Sequence, residues 1–550
     1  MNDKSWPAIS LEDAHARLTA PGQPFETTTV MVRGLPQTAW KHVPATAAEL
    51  FARARTFGSR EFLVLDDARV TYDAFTRAVT VLAADLRARG LQKGDRVALV
   101  MRNLPQWPVV LMAALLNGAI VVPLNAWWTG TELAYGILDS GARFVFADDA
   151  RAQRLTDLPP SVDRLFDEAA LQGIIGAPAA WASLRDAALP DVPLDPEDDA
   201  TIFYTSGTSG APKGALGTHR NLTTNIFAQP FSAARNAVRR GDAIPESKPR
   251  IALVAVPFFH VVGALSNLIP TMAAGGKLIL MKKFDAREAA RLIEAERITT
   301  AGGVPAVALA LLEQAHGHDL SSLELVTYGG APCPTALAAR VRDELGAMPG
   351  QGWGMTETSA ACTTHSAQDY LHRPHSCGPV LPVGRLKVLK DGIPVPPGVV
   401  GEVWAYGPNI VKGYWNRPAA TAETFVDGWV RTGDLASLDA EGFLTIVDRA
   451  HDMVIRGGEN IYCIEVENIL TQHPAVLDAA IVGLPHPVLG EVPGAVVQVR
   501  GALNEDDLRA FAAERMAAFK VPVRVVISQL PLPRNDGGKL AKAQLRKVFA

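Results

Sequence analysis

The run Thr205-Ser206-Gly207-Thr208-Ser209-Gly210-Ala211-Pro212-Lys213-Gly214 follows directly on the apolar Ile202-Phe203-Tyr204. An apolar strand that opens into a glycine- and hydroxyl-rich loop ending in lysine constrains the fold to one that presents backbone N–H groups at a strand end. The glycines remove Cβ and let those N–H groups turn toward an anion, and the hydroxyls and the Lys213 ammonium add donors and positive charge. The loop reads as a nucleotide-phosphate cradle. It is not the common P-loop, which needs glycine immediately before the lysine and Ser/Thr after it; here Ala211-Pro212 precedes Lys213 and Gly214 follows.

Around this loop the apolar pattern alternates. Arg96–Val100 reads as a strand, Trp107–Leu116 as an apolar helix and Ala119–Val122 as a strand. Thr129-x-x-Glu132 is a capping-box helix start, and Arg143–Ala147 is a further strand. The alternation returns at Ile251–Val256 and Lys277–Met281 as strands, Asp285-x-x-Glu288 as a helix start and Leu325–Tyr328 as a strand, which predicts parallel α/β layers. The Pro- and Asp-rich Leu189–Asp199 predicts a surface connector. From Lys387 to Val447 short β segments alternate with Gly/Pro turns, as in a small β-rich subdomain. After Asp448-Arg449 a compact pattern restarts: helix 465–470, strands 476–482 and 495–499, helix 505–518 and strand 523–527. The fold class is therefore α/β: a large N-terminal domain of α/β layers with a small β-rich subdomain, over 1–448, then a small mobile α+β C-terminal domain, over 449–550.

At 550 residues two or more domains are expected, since single cores stop growing near roughly 250 to 300 residues. The formal charge of 53 − 57 = −4 offers no general field for nucleic acid or anionic lipid. Cys333, Cys362, Cys377 and Cys463 are far apart and show no zinc spacing, which fits a reduced cytoplasmic interior. Met1 to Leu18 is charged throughout, without the apolar region of a signal peptide, and Val109–Leu116 is too short to span a bilayer.

Three further segments carry chemistry. Gly352-Trp353-Gly354-Met355-Thr356-Glu357 places a hydroxyl beside a carboxylate, either a Mg²⁺ ligand next to the phosphates or a turn with a solvated Glu. Trp429-Val430-Arg431-Thr432-Gly433-Asp434 sets a carboxylate in a Gly turn, with Asp448-Arg449 about one hairpin later; Asp434 is either a ribose-hydroxyl acceptor or a turn cap. Pro531-Leu532-Pro533-Arg534-Asn535-Asp536-Gly537-Gly538-Lys539 ends a turn-rich loop in a lysine, a mobile charge for a phosphoryl transition state or a solvated surface group.

Taken together, in this order and from roughly Leu50 to Lys547, these segments resemble the acyl-adenylate-forming superfamily of acyl-CoA synthetases, 4-coumarate-CoA ligase, luciferase and peptide-synthetase adenylation domains. Fatty-acid or aryl-acid CoA ligases of bacterial type are the nearest in kind. The resemblance implies an enzyme that uses ATP and Mg²⁺ to join a small carboxylic acid, first as acyl-AMP with loss of pyrophosphate, to coenzyme A. It implies that Thr205, Ser206, Gly207, Thr208, Ser209 and Lys213 meet the β- and γ-phosphates and that Gly330-Ala331-Pro332 and Gln351-Gly352 enclose adenine. Thr356 is implied at the α-phosphate, Glu357 at Mg²⁺, Asp434 and Arg449 at ribose, and Lys539 as the lysine of adenylation. Ile455–Asn460, with Gly457 and Gly458, matches a channel for the pantetheine arm, and Lys283 matches a position that can meet a CoA phosphate.

Pro257-Phe258-Phe259-His260-Val261-Val262-Gly263 matches the segment that gates and walls the acid pocket, with His260 at the gate. Val262, Gly263, Ser266, Gly302, Gly303 and Gly329 are implied to line or border it. This lining is apolar and glycine-rich, so a fatty or arylalkanoic acid is expected over a charged one. One departure stands at the hinge: relatives usually carry Lys or Asp where this chain has His451, which is either a compact polar residue that simply absorbs the rotation or, with an unperturbed pKa near ~6.5, one that makes domain rotation pH-sensitive. Alternatives are an adenylation enzyme that loads a carrier protein, acting in trans because eleven residues follow Lys539, and a luciferase-like oxygenase. A homodimer is a further expectation.

Overall fold

The computed structural model describes residues 6–156, 158, 162–205, 212–246, 248–330, 333–449, 452–456, 459–534 and 539–549. Two large sheets form the N-terminal part. The first orders its seven strands as Gly413–Tyr414, Lys213–Thr218, Asp199–Thr205, Ile120–Pro123, Arg96–Val100, Phe144–Ala147 and Arg164–Phe166. The second orders eight as Ala360–Ser366, Met348–Met355, Leu325–Gly329, Thr300–Gly303, Ile251–Val254, Lys277–Leu280, Glu61–Leu65 and Ala68–Thr71.

Their centres are parallel, as the alternation predicts, but their edges are not. Asp199–Thr205 pairs antiparallel with Lys213–Thr218, Met348–Met355 with Ala360–Ser366, and Glu61–Leu65 with Ala68–Thr71. Short loops join these pairs, and a parallel return would need a crossover of a dozen residues or more.

The core lies between the two sheets. Val97, Leu99 and Val121 from the first share one buried cluster with Ala252, Val254 and Leu278 from the second. The helix Gln106–Leu116 is buried at every position, which accounts for its lack of a polar face. The capping box at Thr129 and Glu132 forms as expected, and Asp285 caps its helix through a bond from the Glu288 N–H.

A third sheet of short antiparallel strands runs from Gly378–Pro379 to Phe443–Arg449 and is the β-rich subdomain. The C-terminal sheet pairs Val476–His486 with Gly490–Val499, and Arg524–Ser528 adds in parallel. The helix expected over 505–518 ends at Ala513. Met516, Phe519 and Val521 still pack against the C-terminal core, although no residue from Ala513 to Val521 is fully buried. All four cysteines are free and buried, and burial pushes the thiols of Cys333 and Cys377 up to about 12 and that of Cys362 to about 11. Cys463 is pushed up as well, again by burial. Among the described residues no helix is long and apolar enough to cross a membrane.

Candidate functional site

The phosphate loop is held at its base. Thr205 and Lys213 are antiparallel partners, and the Thr205 hydroxyl donates to the Lys213 carbonyl at 3.4 Å. Tyr135 donates its phenol to the Pro212 carbonyl at 3.0 Å. The remaining loop residues named above, Ser206, Gly207, Thr208 and Ser209, lie outside the described residues.

Thr356 and Glu357 begin a short 3₁₀ turn at the end of the strand Met348–Met355. The glycines Gly352 and Gly354 belong to this strand rather than to a turn. A Cβ on Gly354 would stand 1.6 Å from the Ala360 carbonyl oxygen, and one on Gly352 would stand 2.8 Å from that of Thr363, so the close antiparallel neighbour excludes any larger residue. Glu357 is not a solvated carboxylate. It is 5% exposed, and its Oε1 accepts from the Tyr414 hydroxyl at 2.6 Å. Burial, then the Glu357 charge, push the Tyr414 phenol up, so it stays protonated and donates. The Lys213 ammonium sits 5.1 Å from the Tyr414 ring centroid. Lys213, Tyr414 and Glu357 thus form one group that joins the loop to the carboxylate.

The segments expected around the nucleoside lie on neighbouring strands. Gly329 and Gly352 are register partners, and Gly330 takes the left-handed φ of +74° that favours glycine. Gln351 is buried on the same strand as Gly352. Ala331 and Pro332 lie outside the described residues. Asp434 is buried and accepts from the Trp353 indole N–H at 2.8 Å. Arg449 is its direct cross-strand partner.

A cleft of about 300 Å³ opens beside the Pro257–Gly263 segment. His260 and Lys283 both line it, with Trp127, Phe259, Val256, Val304 and Val307 as apolar walls and Arg102 and Lys282 as further cations. The rings of Trp127 and Phe259 meet edge to face at 5.2 Å. The glycines expected at the acid pocket are not among the residues that line this cleft. Gly302 and Gly263 are fixed by close backbone packing: a Cβ would stand 2.2 Å from the Thr327 carbonyl oxygen in the first case and 2.1 Å from that of Pro257 in the second. Gly303 lies behind the wall, against Val307 and Val256. Val262 and Ser266 sit on a π-helical turn, with Val262 38% exposed, and Gly329 pairs with Gly352 on the neighbouring strand.

Lys539 is part-buried on the C-terminal tail, beside the bridge between Arg534 and Leu540. The tail is tied down where Lys542 pairs with Glu467 at 3.0 Å. The channel segment forms a hairpin of Val454–Arg456 with Glu459–Ile461, and its turn residues Gly457 and Gly458 lie outside the described residues, as does His451. Two contributors were missed in the sequence. Tyr414 gives no signal beyond following Gly413, and Trp353 sits inside the quoted hexapeptide without its own role.

One carboxylate beside a lysine-ended loop suits Mg²⁺, which takes one or two carboxylates and completes its shell with phosphate oxygens and water. Among the described residues no group of three or more His, Cys, Asp or Glu could hold a metal ion, and Glu357 is a single carboxylate of the kind that Mg²⁺ takes together with phosphate oxygens.

The model of the AMP-binding enzyme family matches residues 50–415, and that of the AMP-binding enzyme C-terminal domain matches 465–539. A feruloyl-CoA synthase of Amycolatopsis sp is 37% identical over 87% of this chain and 94% of its own length. A 2-succinylbenzoate–CoA ligase of Geobacillus kaustophilus (strain HTA426) is 34% identical over 90% of this chain and 97% of its own. The solved O-succinylbenzoate coenzyme A synthetase of Bacillus subtilis, in complex with ATP and a magnesium ion, superposes with a TM-score of 0.76 at 30% identity, covering 90% of this chain and 98% of that one.

Proposed function

Because the chain belongs to the AMP-binding enzyme family, we propose that it is an ATP-dependent acid–CoA ligase that converts a carboxylic acid to acyl-AMP and pyrophosphate, then to acyl-CoA and AMP. The observation that most supports this is the grouping of Lys213 and Glu357 about Tyr414 at the base of the phosphate loop.

A carboxylate is a poor electrophile, so its oxygen attacks the α-phosphorus in line and pyrophosphate leaves. No protein nucleophile is needed; positioning and charge neutralisation supply the rate. Lys213 faces the leaving phosphates, and Thr356 donates toward the α-phosphate. Asp434, held by Trp353, accepts from the ribose hydroxyls beside Arg449. Glu357 would hold Mg²⁺, which would supply neutralisation of the phosphate charge. Lys539 adds positive charge at the transition state. The domains meet at the 448/449 boundary, and rotation about the hinge at His451 replaces Lys539 by the Ile455–Asn460 hairpin, along which the CoA thiol enters.

The acid is of the fatty or arylalkanoic class. The aromatic walls of the cleft, Trp127 and Phe259, and the feruloyl-CoA synthase and 2-succinylbenzoate–CoA ligase relatives favour an aryl group within it. The enzyme acts in the cytoplasm, where ATP and CoA are supplied, and a homodimer is its proposed assembly. A pyrophosphate-release screen over straight-chain fatty, cinnamic and phenylalkanoic acids, with and without CoA, tests the reading. Acid-dependent pyrophosphate release and a thioester product are expected; activity with amino acids alone would overturn the acid class, and release without a CoA thioester would overturn the acceptor.

A further inference from the structure

The stretch from Val411 to Arg417 runs between the phosphate loop and Glu357 and is bonded to both sides. The Val411 N–H donates to the Glu357 carbonyl at 3.0 Å. The Lys412 N–H donates to the Leu216 carbonyl at 2.8 Å, and the Trp415 N–H to the Gly214 carbonyl at 2.7 Å. Gly413 and Tyr414 pair antiparallel with Leu216 and Ala215, on the strand that leaves the loop. This two-residue strand needs its glycine: Gly413 has φ +149°, and a Cβ would stand 2.4 Å from Thr421 Cγ2. The Thr421 hydroxyl in turn accepts from the Tyr414 N–H at 2.9 Å. Tyr414 is therefore fixed at its backbone before its side chain is considered.

The side chain then makes two contacts. Its hydroxyl donates to Glu357 Oε1, and its ring lies beneath the Lys213 ammonium. A glutamate has three rotatable side-chain bonds, so an unsupported carboxylate would sample several orientations. A donor on Oε1 restrains the plane of the carboxylate, as hydrogen-bond partners of metal-ligating carboxylates do. The ring face likewise gives the Lys213 ammonium a seat that attracts it without neutralising its charge.

We propose that Tyr414 is a positioning residue that sets the spacing and orientation of the Glu357 carboxylate and the Lys213 ammonium, so that a divalent cation and the polyphosphate it carries are received in one geometry. This rests on the ligase reading above. Tyr414 touches neither reacting atom; it acts through Glu357 by its hydroxyl and through Lys213 by its ring, and the two roles separate by substitution.

Tyr414→Phe keeps the ring and removes the hydroxyl, whereas Tyr414→Leu removes both. The readouts are Mn²⁺·ATP affinity by electron paramagnetic resonance, the Mg²⁺ concentration for half-maximal acid-dependent pyrophosphate release, the KM values for ATP and for the acid, and Tm as the folding control. For Tyr414→Phe the expected result is a roughly tenfold weaker metal dependence in both metal assays, the range seen when a partner of a metal ligand is lost, with the KM for the acid moving less than twofold. Tyr414→Leu should in addition weaken binding of ATP without metal. In a Glu357→Gln background Tyr414→Phe should have little further effect.

Wild-type metal dependence in Tyr414→Phe, with Glu357→Gln strongly shifted, would overturn the role of Tyr414 and leave the ligase reading standing. Wild-type metal dependence in both would overturn the assignment of Glu357 and the inference with it. Equal shifts for Tyr414→Phe in the wild-type and Glu357→Gln backgrounds would also overturn it.

Discussion

Trp353 and Asp434 are joined by a 2.8 Å hydrogen bond from indole N–H to carboxylate, and this bond crosses from the strand Met348–Met355 of the second sheet to the strand Trp429–Leu438 of the third. The carboxylate proposed to hold ribose is thereby oriented by a residue of the strand that carries Gln351 and Gly352. Trp353→Phe keeps the packing and removes the donor. It should raise the KM for ATP by roughly fivefold and lower stability by about 1 to 2 kcal/mol, the range for removing one hydrogen bond to a carboxylate. ATP titrations at saturating acid, with a denaturation curve, check both values.

Removing Lys539 should separate the two half-reactions. Lys539→Ala is expected to slow acid-dependent pyrophosphate release by roughly a hundredfold or more, the scale of losing one charge that stabilises a transition state. Thioester formation from supplied acyl-AMP should proceed at close to the wild-type rate. Equal loss in both assays would place Lys539 outside adenylation.

Gly302 and Gly303 are neighbours with different consequences. A Cβ at Gly302 meets backbone, the Thr327 carbonyl oxygen, which cannot yield without moving its strand. Gly302→Ala should therefore cost about 3 kcal/mol of stability. At Gly303 the Cβ meets Val307 Cγ2 at 3.0 Å and Val256 Cγ2 at 3.5 Å, both on side chains that line the cleft. Gly303→Ala should fold with a small change in Tm and shift acid selectivity toward slimmer substrates, read as the ratio of kcat/KM for a cinnamic against a straight-chain acid.

Acid should destabilise the protein through buried histidines. His219 is fully buried, and its Nδ1 accepts from the Ala47 N–H, so the ring is held neutral; burial lowers its pKa from 6.5 to about 4. His15 is lowered to about 3, again by burial. The unfolded chain takes up these protons first, so the folded state's advantage is complete above about pH 6.5 and is lost as the pH falls toward 4. For His219 alone the loss amounts to roughly 3 kcal/mol at the low end of that window. Urea midpoints measured from pH 7 down to pH 4.5 should fall for the wild type and fall less steeply for His219→Gln.

Much of the frame was legible in the sequence because it rests on local rules. The capping box at Thr129 and Glu132, the cap at Asp285 and the buried helix Gln106–Leu116 follow from spacing and hydrophobicity within one turn or two. The strand Met348–Met355 was not legible, because glycine is a poor strand former and nothing nearby shows that the opposing carbonyls leave no room for Cβ. Tyr414 was hidden for a related reason: its partner Glu357 is far away in the chain, and the strand that carries it is two residues long. The facing of Asp434 and Arg449 depends on a register shift between Leu435 and Ala436, which no periodicity reports. The helix from Glu505 ends at Ala513, short of the 518 that its helix-forming residues suggest.

The four buried cysteines have a practical use. Their thiols are shielded, and burial raises all of them, so at neutral pH almost none is in the thiolate form that reacts with maleimides or iodoacetamide. A single cysteine introduced on each side of the proposed 448/449 boundary would then carry a fluorophore or spin label without any native thiol being removed, and whether the proposed rotation accompanies the step from adenylation to thioester formation becomes directly measurable on the otherwise natural chain.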